Sequence, residues 1–295
     1  MKSHGICPAS CGEFVQGMIK DKEYLSSYAI DKYSTVTLEE KLENINRGPL
    51  KARRALEEIF KYFNLPRKDL KNISIDIRSD IPIGKGMASS TADIGATIKA
   101  TLNLIGKDLD EYEISKIATK IEPTDSIYIK ENTIFNPLDA NVIRKLGVID
   151  RGKVIILEPN ETLSTRHIRK KENYHKLKRQ NKYIIEYAFK LLGEGISKKD
   201  LMLIGQACNI SSVANENIHK KRYLNEIMDI SKGYGACGVN IAHSGTVIGI
   251  LLEPDMDEEK IKTKLLDKKI DRKYKKIYTA NIIAGGLRSG EDGIR

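Results

Sequence analysis

A glycine-rich turn set between a strand and a helix constrains this chain more than any other feature. Pro82-Ile83-Gly84-Lys85-Gly86-Met87-Ala88-Ser89-Ser90-Thr91-Ala92 follows a segment, Asn72 to Arg78, in which Ile73, Ile75 and Ile77 alternate with polar residues. That period of two predicts a half-buried strand. Behind the turn a helix is expected from about Ser90 to Leu104. Ser90 with Asp93 three residues on has the form of a capping box, which sets the helix start there. A chain that turns through glycines into a helix N-terminus is a site for phosphate. Glycine lets the backbone approach the ligand, and the first helical N–H groups lack partners. The hydroxyls of Ser89, Ser90 and Thr91 are placed to reach a phosphate or a Mg²⁺ ion. This is not a Walker A loop, since Lys85 is followed by Gly86 rather than Ser or Thr. It also lacks the spacing of a dinucleotide fingerprint.

The rest of the composition narrows the class. A chain of 295 residues, 40% hydrophobic and 31% charged, can bury a large core as one domain or as two fused lobes. No run approaches the roughly 20 apolar residues of a membrane span. The N-terminus carries no hydrophobic signal region, so a cytoplasmic location is expected. The formal net charge of +10 fits a nucleic acid, an anionic substrate such as ATP, or simply a basic surface. The densest basic run, Arg166 to Lys171, continues through Lys176, Lys178, Arg179 and Lys182 and reads as a solvated helix face. Without a zinc finger, an RNA-binding aromatic motif or any Trp, a nucleic-acid partner is disfavoured. Cys7, Cys11, Cys208 and Cys237 form no C-x-x-C pair and read as reduced structural thiols.

Strands and helices are intermixed along the chain. Residues 4 to 40 read as strands and turns, with Tyr33 to Leu38 the clearest strand. Helices are expected over Pro49 to Phe63, Asp110 to Ile121, Glu172 to Leu192, Ser197 to Val213, Lys220 to Ser231 and Asp257 to Leu266. The third of these should bury Tyr183, Ile184, Tyr187, Ala188 and Leu191. Phe135 to Leu157 reads as strands and turns, Val239 to Leu252 as a hairpin, and Lys276 to Ile283 as a closing strand. The polar stretch from Glu158 to about Lys171 divides the chain into lobes of residues 1–160 and 161–295, and the fold class is α+β.

The turn resembles the second motif of the GHMP kinase superfamily, with Gly86-Met87-Ala88-Ser89-Ser90-Thr91 in its place. Cys7-Pro8-Ala9-Ser10-Cys11-Gly12-Glu13-Phe14 resembles a shortened first motif. Gly235-Ala236-Cys237-Gly238-Val239-Asn240 with Gly245-Thr246-Val247-Ile248-Gly249 resembles the third. The first motif with Val15-Gln16-Gly17, Tyr33-Ser34-Thr35-Val36 and Glu122-Pro123-Thr124-Asp125-Ser126 looks like the L-threonine kinase branch, which makes O-phospho-L-threonine for cobalamin. The resemblance implies two lobes, the second ferredoxin-like, with the active site in the cleft. It implies ATP on Pro82, Gly84, Lys85, Gly86, Met87, Ala88, Ser89, Ser90 and Thr91, and Mg²⁺ on Ser90 and Glu122. Asp125 would be the base or the orienter of the acceptor hydroxyl, and Ser10 and Glu13 would meet the substrate. Gly235 and Gly238 would pack against the phosphate turn.

Each role has a plainer alternative: a surface glutamate at a helix end for Glu122, a turn aspartate for Asp125, a structural turn residue for Glu13. Many family members carry a lysine in the first motif that assists the aspartate; here Ser10 stands in that region. The substrate carboxylate needs a cation, and Arg166, Arg169 and Arg288 are available. A kinase for homoserine or another hydroxylated metabolite is the nearest alternative. A GHMP-fold protein that binds without catalysis is the next.

Overall fold

Two long strands, β1 (Lys2–Ile19) and β2 (Lys22–Glu40), form the spine of the computed structural model, which describes residues 1–162, 173–243 and 245–290. They run antiparallel around a tight turn at Lys20, whose φ is 54°. Irregularities between Pro8 and Ala9 and around Ser10 to Val15 break the ladder where the first motif lies. Bulges of this kind bend a strand and re-aim its side chains. Strand β2 pairs with β3 (Ile73–Ser79) at one end and with β4 (Asn132–Phe135) at the other; β4 continues to β5 (Val142–Gly147).

Helix α1 (Leu50–Tyr62), α2 (Ser89–Leu104) and α3 (Glu111–Thr119) complete the first half. Of these α2 is apolar nearly all round, and Ile94, Ala96, Ile98, Ala100 and Leu102 are fully buried. A helix of that composition belongs inside a core. It lies directly on β1, where a side chain at Gly5 would collide with the backbone of Ala96. The Asp110 carboxylate caps α3 by accepting from the Tyr112 and Glu113 N–H groups, and Pro123 follows its last turn.

The second half holds β6 (Lys153–Glu158), then helices α4 (Tyr174–Gln180), α5 (Lys182–Lys198), α6 (Leu201–Asn215) and α7 (Leu224–Gly233). Strands β7 (Gly238–Ile241) and β8 (Ile248–Leu252), helix α8 (Glu259–Asp267) and β9 (Lys276–Ile283) close it. The strand order β9-β6-β8-β7 is fourth, first, third, second, all antiparallel. With its intervening helices this is the ferredoxin-like arrangement, and the α+β fold class holds. Strand β9 also pairs with β2, at Ala29 and Ile30, so one sheet runs through both halves. After β9 the chain returns to β1 through a bridge from Arg288 to Ile6.

Two readings of the sequence change. The helix expected over Glu172 to Leu192 is two helices meeting at Asn181, and the second runs on to Lys198. Its buried face is Ile185, Ala188, Phe189 and Leu192, while Tyr183, Ile184 and Tyr187 are exposed. The difference is a rotation of about one residue around the axis, which the packing of α5 against β1 and α6 selects. Among the described residues no helix is long and apolar enough to cross a membrane.

Candidate active site

The turn after β3 alternates its backbone hand. Gly84, Gly86 and Ala88 have φ of 71°, 84° and 61°, with residues of ordinary hand between them. Such alternation directs successive N–H groups to one side and makes an anion-binding concavity. Helix α2 begins at Ser89 behind Ala88, and no side chain caps it. The capping box expected of Ser90 and Asp93 therefore does not form. With the helix starting one residue early, Ser90 lies inside the first turn, and Asp93 accepts instead from Ser34 Oγ. The first N–H groups of α2 stay available at the concavity.

The turn is braced from the second half. The buried Lys85 ammonium donates to the carbonyls of Pro159, Asn160 and Glu161 at 2.6, 2.8 and 2.9 Å. Its charge faces the chain rather than a phosphate, which departs from the contact expected of it. Its own carbonyl accepts from Thr246 and Val247 N–H. A Cβ on Gly86 would stand 2.5 Å from that of Ala242 and 2.6 Å from the Gly245 Cα. The packing expected of Gly235 and Gly238 thus falls to Ala242 and Gly245. Gly238 packs on Gly205, and Gly235 lies by Met256. Met87 is buried, and its carbonyl accepts from the Ser10 N–H.

Ser90 and Glu122 meet. Ser90 Oγ donates to Glu122 Oε1. Beside the pair stands a cation missed in the sequence: the Lys51 ammonium of α1, 2.8 Å from Ser90 Oγ and 2.5 Å from Glu122 Oε2. A signal for it existed. A lysine in the first turn of a helix opposes the helix dipole and calls for an anion nearby. A hydroxyl and a carboxylate, both hard oxygen donors drawn together around a positive charge, suit Mg²⁺, which takes one or two protein oxygens and completes its shell with phosphate and water.

Asp125 precedes a short 3₁₀ turn, Ser126–Tyr128, without capping it through its side chain. The fully buried Tyr128 donates to the Thr91 carbonyl at 2.7 Å, tying this turn to the first turn of α2. Asp125 is close enough to Cys7 and Glu13 of β1 to disfavour their ionisation. Burial, and then the Asp125 charge, push the Glu13 carboxyl well above its ordinary range, although its Oε2 accepts from the His243 N–H at 2.7 Å. The Ser10 hydroxyl is buried and lacks a hydrogen-bond partner among the described residues. Asp125 thus lies near Glu13 of β1, Ser10 of the same strand is tied to the phosphate turn through Met87, and Tyr128 joins the Asp125 turn to the helix that carries Ser90.

Buried cations also reach this region. Lys178 is 2% exposed and pairs with Glu23 at 3.1 Å, and its Nζ stands 2.9 Å from His243 Nε2. This departs from the solvated basic face that the sequence predicts, because a run of lysines does not reveal which one turns inward. Lys221 donates to the Gly245 carbonyl, and both lysines lower the Glu13 pKa against the effect of burial. Of the three candidate arginines, Arg166 and Arg169 lie outside the described residues, as does Ser244. The Arg288 guanidinium donates to the Ala284 carbonyl and lies 5.4 Å over the Tyr33 ring.

Comparison with known families decides what this geometry belongs to. The model for the GHMP kinases N terminal domain matches residues 51–128, and that for the GHMP kinases C terminal domain matches residues 188–271. The chain is 34% identical to an L-threonine kinase of Salmonella typhimurium over 96% of its own length and 94% of the relative's. The chain belongs to the GHMP kinase family. An L-threonine kinase of Citrobacter freundii is 30% identical over 95% of this chain and 97% of its own. The fold matches that of a homoserine kinase from Cytophaga hutchinsonii, with a TM-score of 0.72 at 16% identity, covering 98% and 97% of the two chains. As a GHMP kinase the protein phosphorylates a hydroxyl group. The N-terminal match begins at Lys51 and ends at Tyr128, so it spans the phosphate turn, Ser90, Glu122 and Asp125.

Proposed function

We propose that this GHMP kinase transfers the γ-phosphoryl group of ATP to the side-chain hydroxyl of L-threonine, in the cytoplasm, yielding O-phospho-L-threonine for cobalamin synthesis. The near full-length identity to two L-threonine kinases supports the acceptor. The observation that carries the chemistry is the meeting of Ser90 and Glu122 at the mouth of the phosphate turn. Backbone N–H groups from Gly84 to Ser90 hold the phosphates. Ser90 and Glu122 would hold Mg²⁺, which would supply charge neutralisation to the phosphates. Asp125 accepts a hydrogen bond from the acceptor hydroxyl and orients it for in-line attack.

The substrate carries one ammonium and one carboxylate, and the site offers both signs of charge. Glu13 is the carboxylate for the ammonium, and a bound cation would restore its ionised form. The buried Ser10 hydroxyl has no partner among the described residues and is available to the acceptor.

An ADP-release assay with Mg-ATP and, separately, L-threonine, L-serine, L-homoserine and mevalonate tests this reading. Turnover is expected to be highest with L-threonine. Turnover confined to a non-amino-acid alcohol would overturn it.

A further inference from the structure

Lys51 stands where its own helix does not favour it. The ammonium projects from the first turn of α1, which holds no acidic residue, against the positive end of the helix dipole. Helix α1 is tied down around it. Arg53 donates to the carbonyls of Leu70 and Ile73, and Arg54 donates to the Lys120 carbonyl at the end of α3. The Lys51 side chain is 47% exposed, so solvent offers it many conformations. It is nevertheless folded onto Ser90 and Glu122.

We propose that the Lys51 ammonium is a resident cation of the metal site, holding Ser90 and Glu122 together and yielding to Mg²⁺ that arrives with nucleotide, whereupon it moves to a phosphate oxygen. The inference rests on Ser90 and Glu122 being the metal-holding pair. One carboxylate cannot neutralise an ammonium and a divalent ion together. Mg²⁺ takes its oxygens at about 2.0–2.1 Å, so it cannot share Ser90 Oγ and Glu122 Oε2 with an ammonium that stands 2.8 and 2.5 Å from them. A lone hydroxyl and carboxylate hold free metal weakly, so without nucleotide the lysine keeps its place. Phosphate oxygens change both sides of that balance, because they add ligands for the metal and a new partner for the ammonium. Lys51 therefore opposes free metal and favours nucleotide.

The test uses the full chain with Lys51→Met and Lys51→Arg. Free Mn²⁺ binding is followed by electron paramagnetic resonance, and metal-free ADP binding in EDTA by calorimetry. Lys51→Met should bind Mn²⁺ about 3- to 10-fold more tightly, the range set by a half-exposed ion pair. It should bind metal-free ADP more weakly by a similar factor, whereas Lys51→Arg should stay near wild type in both. Mn²⁺ affinity unchanged or weakened in Lys51→Met overturns the displacement, and unchanged ADP affinity overturns the move to phosphate. Adding Glu122→Gln to Lys51→Met should abolish the gained Mn²⁺ affinity. Should the gain survive, the metal assignment of Glu122 fails, independently of Lys51.

Discussion

Glu13 and Asp125 bring two carboxyl groups to the bulged part of β1, and their coupling makes residue-level predictions. Glu13 is held well above its ordinary 4.5 by burial and by Asp125, so the folded chain keeps this proton to a higher pH than the unfolded one. The folded state then binds more protons, and stability falls as pH rises above that ordinary value. Glu13→Gln keeps an acceptor for the His243 N–H and removes the titration. Its stability relative to wild type, from urea unfolding between roughly pH 4 and pH 8, should be unchanged at the acid end and should rise toward neutrality. A difference independent of pH would contradict the buried, charge-opposed setting. Asp125→Asn should lower turnover about 10²-fold, the low end for loss of a general base, because no first-motif lysine assists it. The Michaelis constant for the acceptor should change less than turnover. Near-normal turnover, measured where chemistry limits the rate, would leave Asp125 a turn residue. Ser90→Ala should raise the Mg²⁺ concentration needed for half-maximal rate while the thermal midpoint stays close to wild type, since Ser90 is only partly buried. A wild-type Mg²⁺ profile would remove Ser90 from the metal site.

At the scale of elements, the phosphate turn is a wedge between two halves rather than a free loop. Lys85 shows the difference. Lys85→Met leaves three carbonyls without their charged donor and should cost about 2–4 kcal/mol in urea unfolding. Unaltered stability with a raised ATP Michaelis constant would return Lys85 to the phosphates. Gly86→Val should fail to fold well, because a Cβ there meets Ala242 and Gly245 whatever the ligand. Element positions were largely legible: the strand at Lys276–Ile283 and helices α1 to α3 follow from periodicity and from the glycine, proline and aspartate punctuation around them. The start of α2 was legible to within one residue, but its capping was not, because a left-handed alanine, rather than a serine hydroxyl, leads into it. Lys51 and Lys178 were hidden for another reason. Basic residues on helices point to solvent by default, and the carboxylates that pair with these two, Glu122 and Glu23, lie 71 and 155 residues away in sequence. The glycine that meets Gly86 was likewise one of several glycines in the third motif, and spacing alone does not rank them.

At the scale of the molecule, the nine described strands are joined in one sheet. Strand β9 pairs with both β2 and β6, and Arg288 returns the chain to Ile6. A division at residue 160 therefore separates segments of sequence whose strands share a ladder. Thermal unfolding followed by far-ultraviolet circular dichroism and by tyrosine fluorescence should give coincident single transitions. Two separated transitions would mean that the halves fold independently and that the β2–β9 pairing is weak. The phosphate turn is joined to β1 by the Ser10 N–H to Met87 carbonyl bond, and the Asp125 turn to the following helix by the Tyr128 hydroxyl on the Thr91 carbonyl. The acceptor itself is read most directly from the product. In an equimolar mixture of L-threonine, L-serine and L-homoserine with Mg-ATP, the new ester should give a proton-coupled phosphorus resonance split into a doublet by a single methine proton, the signature of a phosphorylated secondary alcohol. A predominant triplet, from phosphate on a primary carbon, would contradict an L-threonine kinase.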